Sequence, residues 1–543
     1  MQDPTSFGWI VILGGLACFV MAFGIGANDV ANNFGSSVGS KAIRLWVAVI
    51  LAFIFEFMGA FLFGASVTDS VRKGVINFDS FKDSPAVLMY ANLTALITAA
   101  IWLILASVKG LPVSTTQSVV GSLIGVGLAT GPKNVNWTYV GTVIASWFTS
   151  PLLAAVAGGT IFAATRKGIL RQPDPVKIGY RVLWFLVFAL LFVFTMFFII
   201  KNPVSFPSAC EQSTDNGTEV LAPCILSKWV SAHYGLAFAY GVAIAAGLTL
   251  ILAPAAYWYA RRLIRAYDAS VDIESSSVSN PEKLTFTDEA LHATDKPEMT
   301  SSSDVTLMSD FSEAPVACQQ KVRLKWYKMP WFTDVHAAVD DDDDINKMWS
   351  AAEQFDPRTE CFFSFLQILS AIVSCLVHGA NDVANATAPF STIYGVYKSG
   401  AFEEKVATPS WILMMGGLGI GLGLAFLGVN VLVAVGVKLA KITPARGFSI
   451  ETGMATVMVI GSFMGIPLST THCQVGSTVA VGALDFHSDN PKLKRNCNGL
   501  VNWQAVNVKL LLQIMLSWLS TLILTATTAA AVFSFGFYSP SAA

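Results

Sequence analysis

The sequence predicts an all-α polytopic membrane protein of about 12 transmembrane helices, arranged as two inverted-topology repeats with broken helices or re-entrant hairpins at the midplane. Three observations predict it. The 543 residues are 54% hydrophobic and only 13% charged, where a soluble domain carries about 25% charged residues. The apolar residues fall into many runs of roughly 20, the length of a helix that crosses a bilayer core. The stretch GANDVANN, Gly26 to Asn33, returns 353 positions later as GANDVANA, Gly379 to Ala386.

Taken in order, the apolar segments before the centre of the chain run from about Phe7 to Ile25, Leu45 to Val67, Val87 to Val108, Val113 to Thr130, Tyr139 to Ala164, Val182 to Ile200 and Tyr234 to Tyr259. After it come Cys361 to Val377, Trp411 to Val437, Phe448 to Met464, Leu468 to Ala483 and Leu510 to Phe535. The segments at Val113 and Leu468 are short and each follows a proline, which suits a broken helix or a re-entrant loop. Each opens a second matched pair of motifs, GLPVSTTQSVVGS from Gly110 and GIPLSTTHCQVGS from Gly465. Two pairs in the same order make the chain a duplicated unit.

Orientation follows from the short loops that keep Lys and Arg, which stay cytoplasmic. Arg166, Lys167, Arg171, Lys177 and Arg181 form one such cluster; Arg261, Arg262 and Arg265 form another. The loop between them, Lys201 to Ala232, is then outside. It carries Cys210 and Cys224, read as a disulfide, and the sequon Asn216-Gly217-Thr218, read as a glycosylation site, both suited to an oxidising face. Counting spans in both directions puts both termini outside and Lys438, Lys441 and Arg446 inside. The first GANDVAN motif then ends a span running inward and the second a span running outward. Inverted units with a polar interruption in each half are the arrangement of secondary transporters that bind substrate at the midplane.

The division is into an N-terminal membrane domain, residues 1–261, a polar loop, 262–357, and a C-terminal membrane domain, 358–543. From Arg262 to Pro357 there are 9 Lys and Arg against 19 Asp and Glu, a net charge of -10, with an acidic run at Asp340 to Asp344. Such a segment buries too little apolar surface to fold unaided and is expected to be largely disordered in the cytoplasm. It reads as a solvated linker, with regulation by phosphorylation as the sharper alternative. The opening MQDPTS has no basic residue, so the first run does not read as a cleaved signal.

The chemistry lies in what the spans contain. Their apolar cores hold no Lys or Arg; the acids in or against them are Asp29, Glu56, Asp382 and Glu451. An ionisable residue at membrane depth is costly and marks an ion or substrate path. A purely acidic interior attracts cations, and hard cations want oxygen ligands, which the carboxylates and Asn28, Asn32, Asn381 and Asn385 supply. The Ser-Thr-Thr runs point the other way. Ser114, Thr115 and Thr116, and Ser469, Thr470 and Thr471, stand where a helix starts after Pro. Unpaired amides and the positive dipole end bind anions there, phosphate in particular. One copy alone would read as an ordinary cap; two, placed beside two GANDVAN motifs, make an oxyanion cage without arginine. Unit charges about 4 Å apart interact by about 4 kcal/mol at an effective dielectric of about 20. An anion beside Asp29 and Asp382 is therefore repelled unless cations lie between them, and coupling follows from the electrostatics.

The paired GANDVAN motifs, the paired G-[LI]-P-[VL]-S-T-T motifs and the acidic insert after seven spans resemble the inorganic phosphate transporter (PiT) family, over about Gly8 to Ala164 and Glu360 to Phe533. The resemblance implies a twelve-span inverted-repeat fold that moves orthophosphate with sodium, or with protons in some members. It implies phosphate held by Asp29, Asp382 and the two Ser-Thr-Thr runs, and transport that depends on Glu56 and Glu451. With Asn28, Asn32, Asn381 and Asn385, these glutamates form the expected sodium set. The expected partners are inorganic phosphate, sodium or protons and the bilayer, not nucleic acid, with a homodimer allowed and the plasma membrane as the location. No cofactor beyond the coupling ion is expected.

Other features carry less. His472 reads as a hydrogen-bonded histidine before a proton carrier, and the glycines from Gly416 to Gly423 as close helix packing before a gate. The sequons at Asn92 and Asn385 fall in spans, while Asn136 lies near an outer loop. No metal-ligand cluster and no Ser-His-Asp arrangement is visible, so the chain does not read as an enzyme.

Overall fold

The computed structural model describes residues 3–201, 205–206, 224–225, 230–278, 334–463, 468–484 and 501–539, apart from 73–74, 76–80, 82–83, 231–232, 338, 340–341 and 402–407. Cys210 and Asn216 lie outside the described residues, so the disulfide and the glycan have no structural account. Strand structure among the described residues is a two-residue ladder, 205–206 against 224–225; the rest is helical.

Nine helices are long and apolar enough to cross a membrane, among the described residues. They are fewer than the twelve runs because three runs make other elements. Those from Val113 and Leu468 become helices of only 16 and 14 residues, too short to span a bilayer core alone. The run from Phe448 lies in a helix, Pro444–Phe463, that carries Arg446 and Glu451 and is less apolar. Large apolar side chains face outward, among them Ile12, Phe148, Phe185, Leu250 and Phe535, while asparagines, serines, threonines and the acids Asp29, Glu56, Asp382 and Glu451 are buried. That inversion is what a lipid solvent selects.

In the first half, α1 (Gly8–Asn28) and α2 (Val30–Gly39) run on as one rod with Asp29 at the joint. Next come α3 (Leu45–Arg72) and α4 (Pro85–Val108). A turn at Gly110, φ +66°, returns the Leu111 amide to the Ala106 carbonyl at 2.9 Å. Only glycine takes that backbone without strain. Pro112 and Val113 then lead to α5 (Thr115–Thr130) and α6 (Trp137–Thr165), capped by Ser114 and Asn136. Two further helices, α7 (Pro175–Lys201) and α8 (Tyr234–Val278), pack on each other.

In the second half, α10 (Pro357–Ser399) follows a short helix, α9 (Asp343–Ser350). The second GANDVAN motif does not interrupt it; Asp382 lies mid-helix, so the break expected in each half is confined to the first copy. Then come α11 (Ser410–Leu427), α12 (Val429–Val433) running into a π-helical turn, α13 (Pro444–Phe463), α14 (Thr470–Ala483) and α15 (Val508–Phe537).

The packing is reciprocal. Helix α1 lies on α11 and α10 on α3; α1 packs on α4 and α10 on α13; α5 packs on α15 and α14 on α6. The motif glycines permit the first two contacts. A Cβ on Gly26 would run into the carbonyl oxygen of Ile420, and one on Gly379 into the carbonyl oxygen of Glu56.

The polar loop is partly structured. Helix α8 carries the chain past Arg262 to Val278, and Val335, Val339, Ile345 and Met348 are buried near the loop's end. Glu353 accepts two bonds of 2.8 Å from Arg171. Its carbonyl accepts from Arg446 at 2.6 Å, whose guanidinium lies over the rings of Phe162 and Phe355. These contacts clamp the loop's end to α6 and α13.

Candidate functional site

The two Ser-Thr-Thr runs meet. Ser114 and Ser469 cap α5 and α14, accepting from the amides of Gln117 and His472 at 3.3 and 3.4 Å, and their hydroxyls lie 3.0 Å apart. Two helix N-termini therefore converge, each with first-turn amides that have no intrahelical acceptor. The turn before α5 is held by Asn28, whose Nδ2 donates to Ser107 and the Leu111 carbonyl and whose Oδ1 accepts from the Val113 amide at 2.9 Å. That engagement makes Asn28 a clamp on the motif.

Both aspartates face this junction. Asp29 accepts from Thr115 at 2.7 Å, within its own half, and from Thr471 at 2.9 Å, across the halves. Asp382 accepts from Thr470 of its own half at 2.8 Å. Asn32 donates to Thr471 at 3.1 Å, and its counterpart Asn385 donates to Thr115, Thr116 and Asp382 at 3.2–3.4 Å. The Asn32 Oδ1 is fully buried without a hydrogen-bond partner, and a buried acceptor of that kind is costly unless a donor or cation meets it. Asp29, Asp382, all six Ser and Thr residues, Asn32 and Asn385 thus share one centre. Asn381 lies beside Asp382, half-buried.

The two glutamates stand apart from that centre. Glu56 accepts from Asn33 Nδ2 at 2.9 Å and lies 2.8 Å from His378 Nδ1. Glu451 accepts from Ser36, from Ser37 at 3.0 Å and from Ser370 at 2.5 Å. Ser36 is seven residues beyond Asp29, roughly 10 Å along a helix. Of the residues read from the sequence as the sodium set, Asn32 and Asn385 thus lie at the centre, while Glu56 and Glu451 make polar contacts of their own.

The residue the sequence reading missed is His378. Its Nε2 lies 2.8 Å from Asp382 Oδ2, a close contact that is not aligned as a hydrogen bond. Ligand atoms of Asp29, His378 and Asp382 all come within 4.8 Å of one another. This corrects the expectation that no metal-ligand cluster exists: its members are up to 353 positions apart, so no local spacing marks it. The available signal was a histidine one helical turn before Asp382, where the first copy has Ile25. His472, by contrast, packs edge-on to Trp518 at 3.9 Å and lies 3.4 Å from Gln117, as a packed histidine does.

A family described as the Phosphate transporter family matches residues 25–529. A sodium-dependent phosphate transporter of Plasmodium falciparum is 31% identical, over 98% of this chain and 98% of that protein. One of Toxoplasma gondii is 28% identical over 99% and 98%, and sodium-dependent phosphate transporter 2 of Felis catus is 28% identical over 87% and 92%. A solved structure entitled "The sodium-dependent phosphate transporter" superposes with a TM-score of 0.65 at 27% identity, covering 96% of this chain and 98% of that one.

Proposed function

Because the chain belongs to the phosphate transporter family, we propose that it is a secondary active symporter importing inorganic phosphate with sodium by alternating access. The observation that carries this is the pairing of two converging helix N-termini with two aspartates. Thr115, Thr470 and Thr471 are donors suited to a phosphate oxygen, and all three donate to Asp29 or Asp382. A cation on those carboxylates releases the hydroxyl protons for the anion, and the anion in turn offsets the cation's charge. Each ion thus prepares the place of the other, which is what coupling requires. Asn32 and Asn385 add neutral oxygens beside the carboxylates, suited to a hard cation.

The reciprocal packing supports two inverted repeats that exchange helices, with α5 and α14 as half-length elements meeting at the midplane. In this reading 1–261 and 358–543 are the membrane domains and 262–357 the cytoplasmic loop. Both termini lie outside a plasma membrane, with a glycan on Asn216 and a Cys210–Cys224 disulfide, and a homodimer is allowed. The protein is a carrier, not an enzyme. Proton coupling is the second reading; the buried imidazole of His378 between Glu56 and Asp382 favours it. Uptake of phosphate into proteoliposomes at fixed pH, with sodium replaced by choline, separates the two. Sodium coupling predicts loss of uptake in choline and in Asp29→Asn and Asp382→Asn. Full uptake in choline, abolished by a protonophore, leaves the proton reading.

A further inference from the structure

We propose that His378 is a positioning residue through which Glu56 acts on Asp382, and that only the second half of the site has such an arm. The inference rests on the symport reading above. The Glu56 side chain is fully buried and bonded to Asn33 and to His378 Nδ1. A side-chain path from it to Asp382 runs through the imidazole, whose Nε2 meets Asp382 at 2.8 Å. A carboxylate bonded to one ring nitrogen fixes the plane of the ring and so the direction from which the other nitrogen approaches.

The duplication shows that the fold does not need this arm. Gly379 is pressed on the Glu56 carbonyl as Gly26 is pressed on the Ile420 carbonyl, so Ile420 takes the place of Glu56. Ile25, one residue before Gly26, takes that of His378, one residue before Gly379. Both isoleucines are fully buried. The same helix contact is thus made once with two apolar side chains and once with a carboxylate and an imidazole. Burying polar groups is unfavourable next to apolar ones of similar size unless they do something else. What they reach is Asp382. Asp29 is held by the hydroxyls of Thr115 and Thr471 and Asp382 by that of Thr470, all of which can rotate away; Asp382 in addition has a ring of set orientation behind it. The two halves are therefore unequal: Asp382 is the fixed wall of the site and Asp29 the adjustable one.

The test is phosphate uptake into proteoliposomes at saturating sodium, for the native protein, Glu56→Gln, His378→Gln, His378→Asn and the double variant Glu56→Gln/His378→Gln. Glutamine places an amide nitrogen near Nε2, keeping the Asp382 contact; asparagine places it near Nδ1, keeping the Glu56 contact. Glu56→Gln replaces the charged acceptor at Nδ1 by a neutral amide and is expected to raise the phosphate concentration for half-maximal uptake about tenfold, as weakening of a bond to a charged group does. In the His378→Gln background it is expected to add nothing, and His378→Asn is expected to transport less than His378→Gln. An equal cost of Glu56→Gln in both backgrounds, or better transport by His378→Asn, would overturn the proposal. If neither His378 variant folds, Glu56→Gln alone decides. A direct ion ligand would be compensated by saturating sodium, whereas a displaced Asp382 would not. Absence of uptake by the native protein would remove the symport reading itself, and this inference with it.

Discussion

Thr115 and Thr470 occupy matching places, each donating its hydroxyl proton to the aspartate of its own half at 2.7 and 2.8 Å. Valine keeps their shape and removes the proton. Thr115→Val and Thr470→Val should each weaken phosphate binding about ten- to a hundredfold, the effect of losing a bond to a charged group worth roughly 1.5–3 kcal/mol. Isotope binding to purified protein measures it, with sodium binding in the absence of phosphate changing less. Unaltered phosphate affinity in both folded variants would return these residues to helix caps. Asp29, Asp382 and the threonines were legible because duplication repeats them, and a second copy makes a common residue type informative. His378 has no copy, and its one local mark is its place a helical turn before Asp382; Ser36 and Ser37 meet Glu451 more than 410 positions away, and nothing local indicates that contact.

Among the helices, the reciprocal contacts of α1 with α11 and of α10 with α3 depend on glycines that let one backbone touch another. Gly26→Ala and Gly379→Ala each place a methyl group against a carbonyl oxygen. Each should cost about 1–3 kcal/mol, the usual range for overpacking a tight contact. A lowered Tm of the detergent-purified protein, similar for the two variants, checks this. An unchanged Tm for either would mean that the contact gives way freely. The alternation of apolar runs and turns foretold most of these helices, but not the unbroken course of α10 through Asp382. Within that helix the Asp382 carboxylate accepts from Asn385 one turn on and from Thr470 of α14.

For the molecule as a whole, the orientation proposed from the distribution of Lys and Arg has the acidic run inside. Asp342, which caps α9 and is exposed, offers a site for an epitope. Antibody should bind that epitope only after cells are permeabilised; binding to intact cells would reverse the orientation and end the inverted reading. Arg446, read as an ordinary inside charge, is almost fully buried and bonds the Glu353 carbonyl. The far end of the acidic loop, expected to be largely disordered, is therefore anchored to the helices beside it.

The sequence by itself determined the class of solvent, the duplication and the pair of aspartates with their hydroxyl runs. Each of these is a repeated or periodic property, written in adjacent residues. Only the tertiary structure decided which oxygens share a centre. It set Glu56 and Glu451 in polar contacts of their own, brought His378 against Asp382, and bonded Asn28 to the turn before α5. The reason is geometric: a helix carries its side chains on every face, and sequence spacing along one helix does not say which face a distant helix will cover.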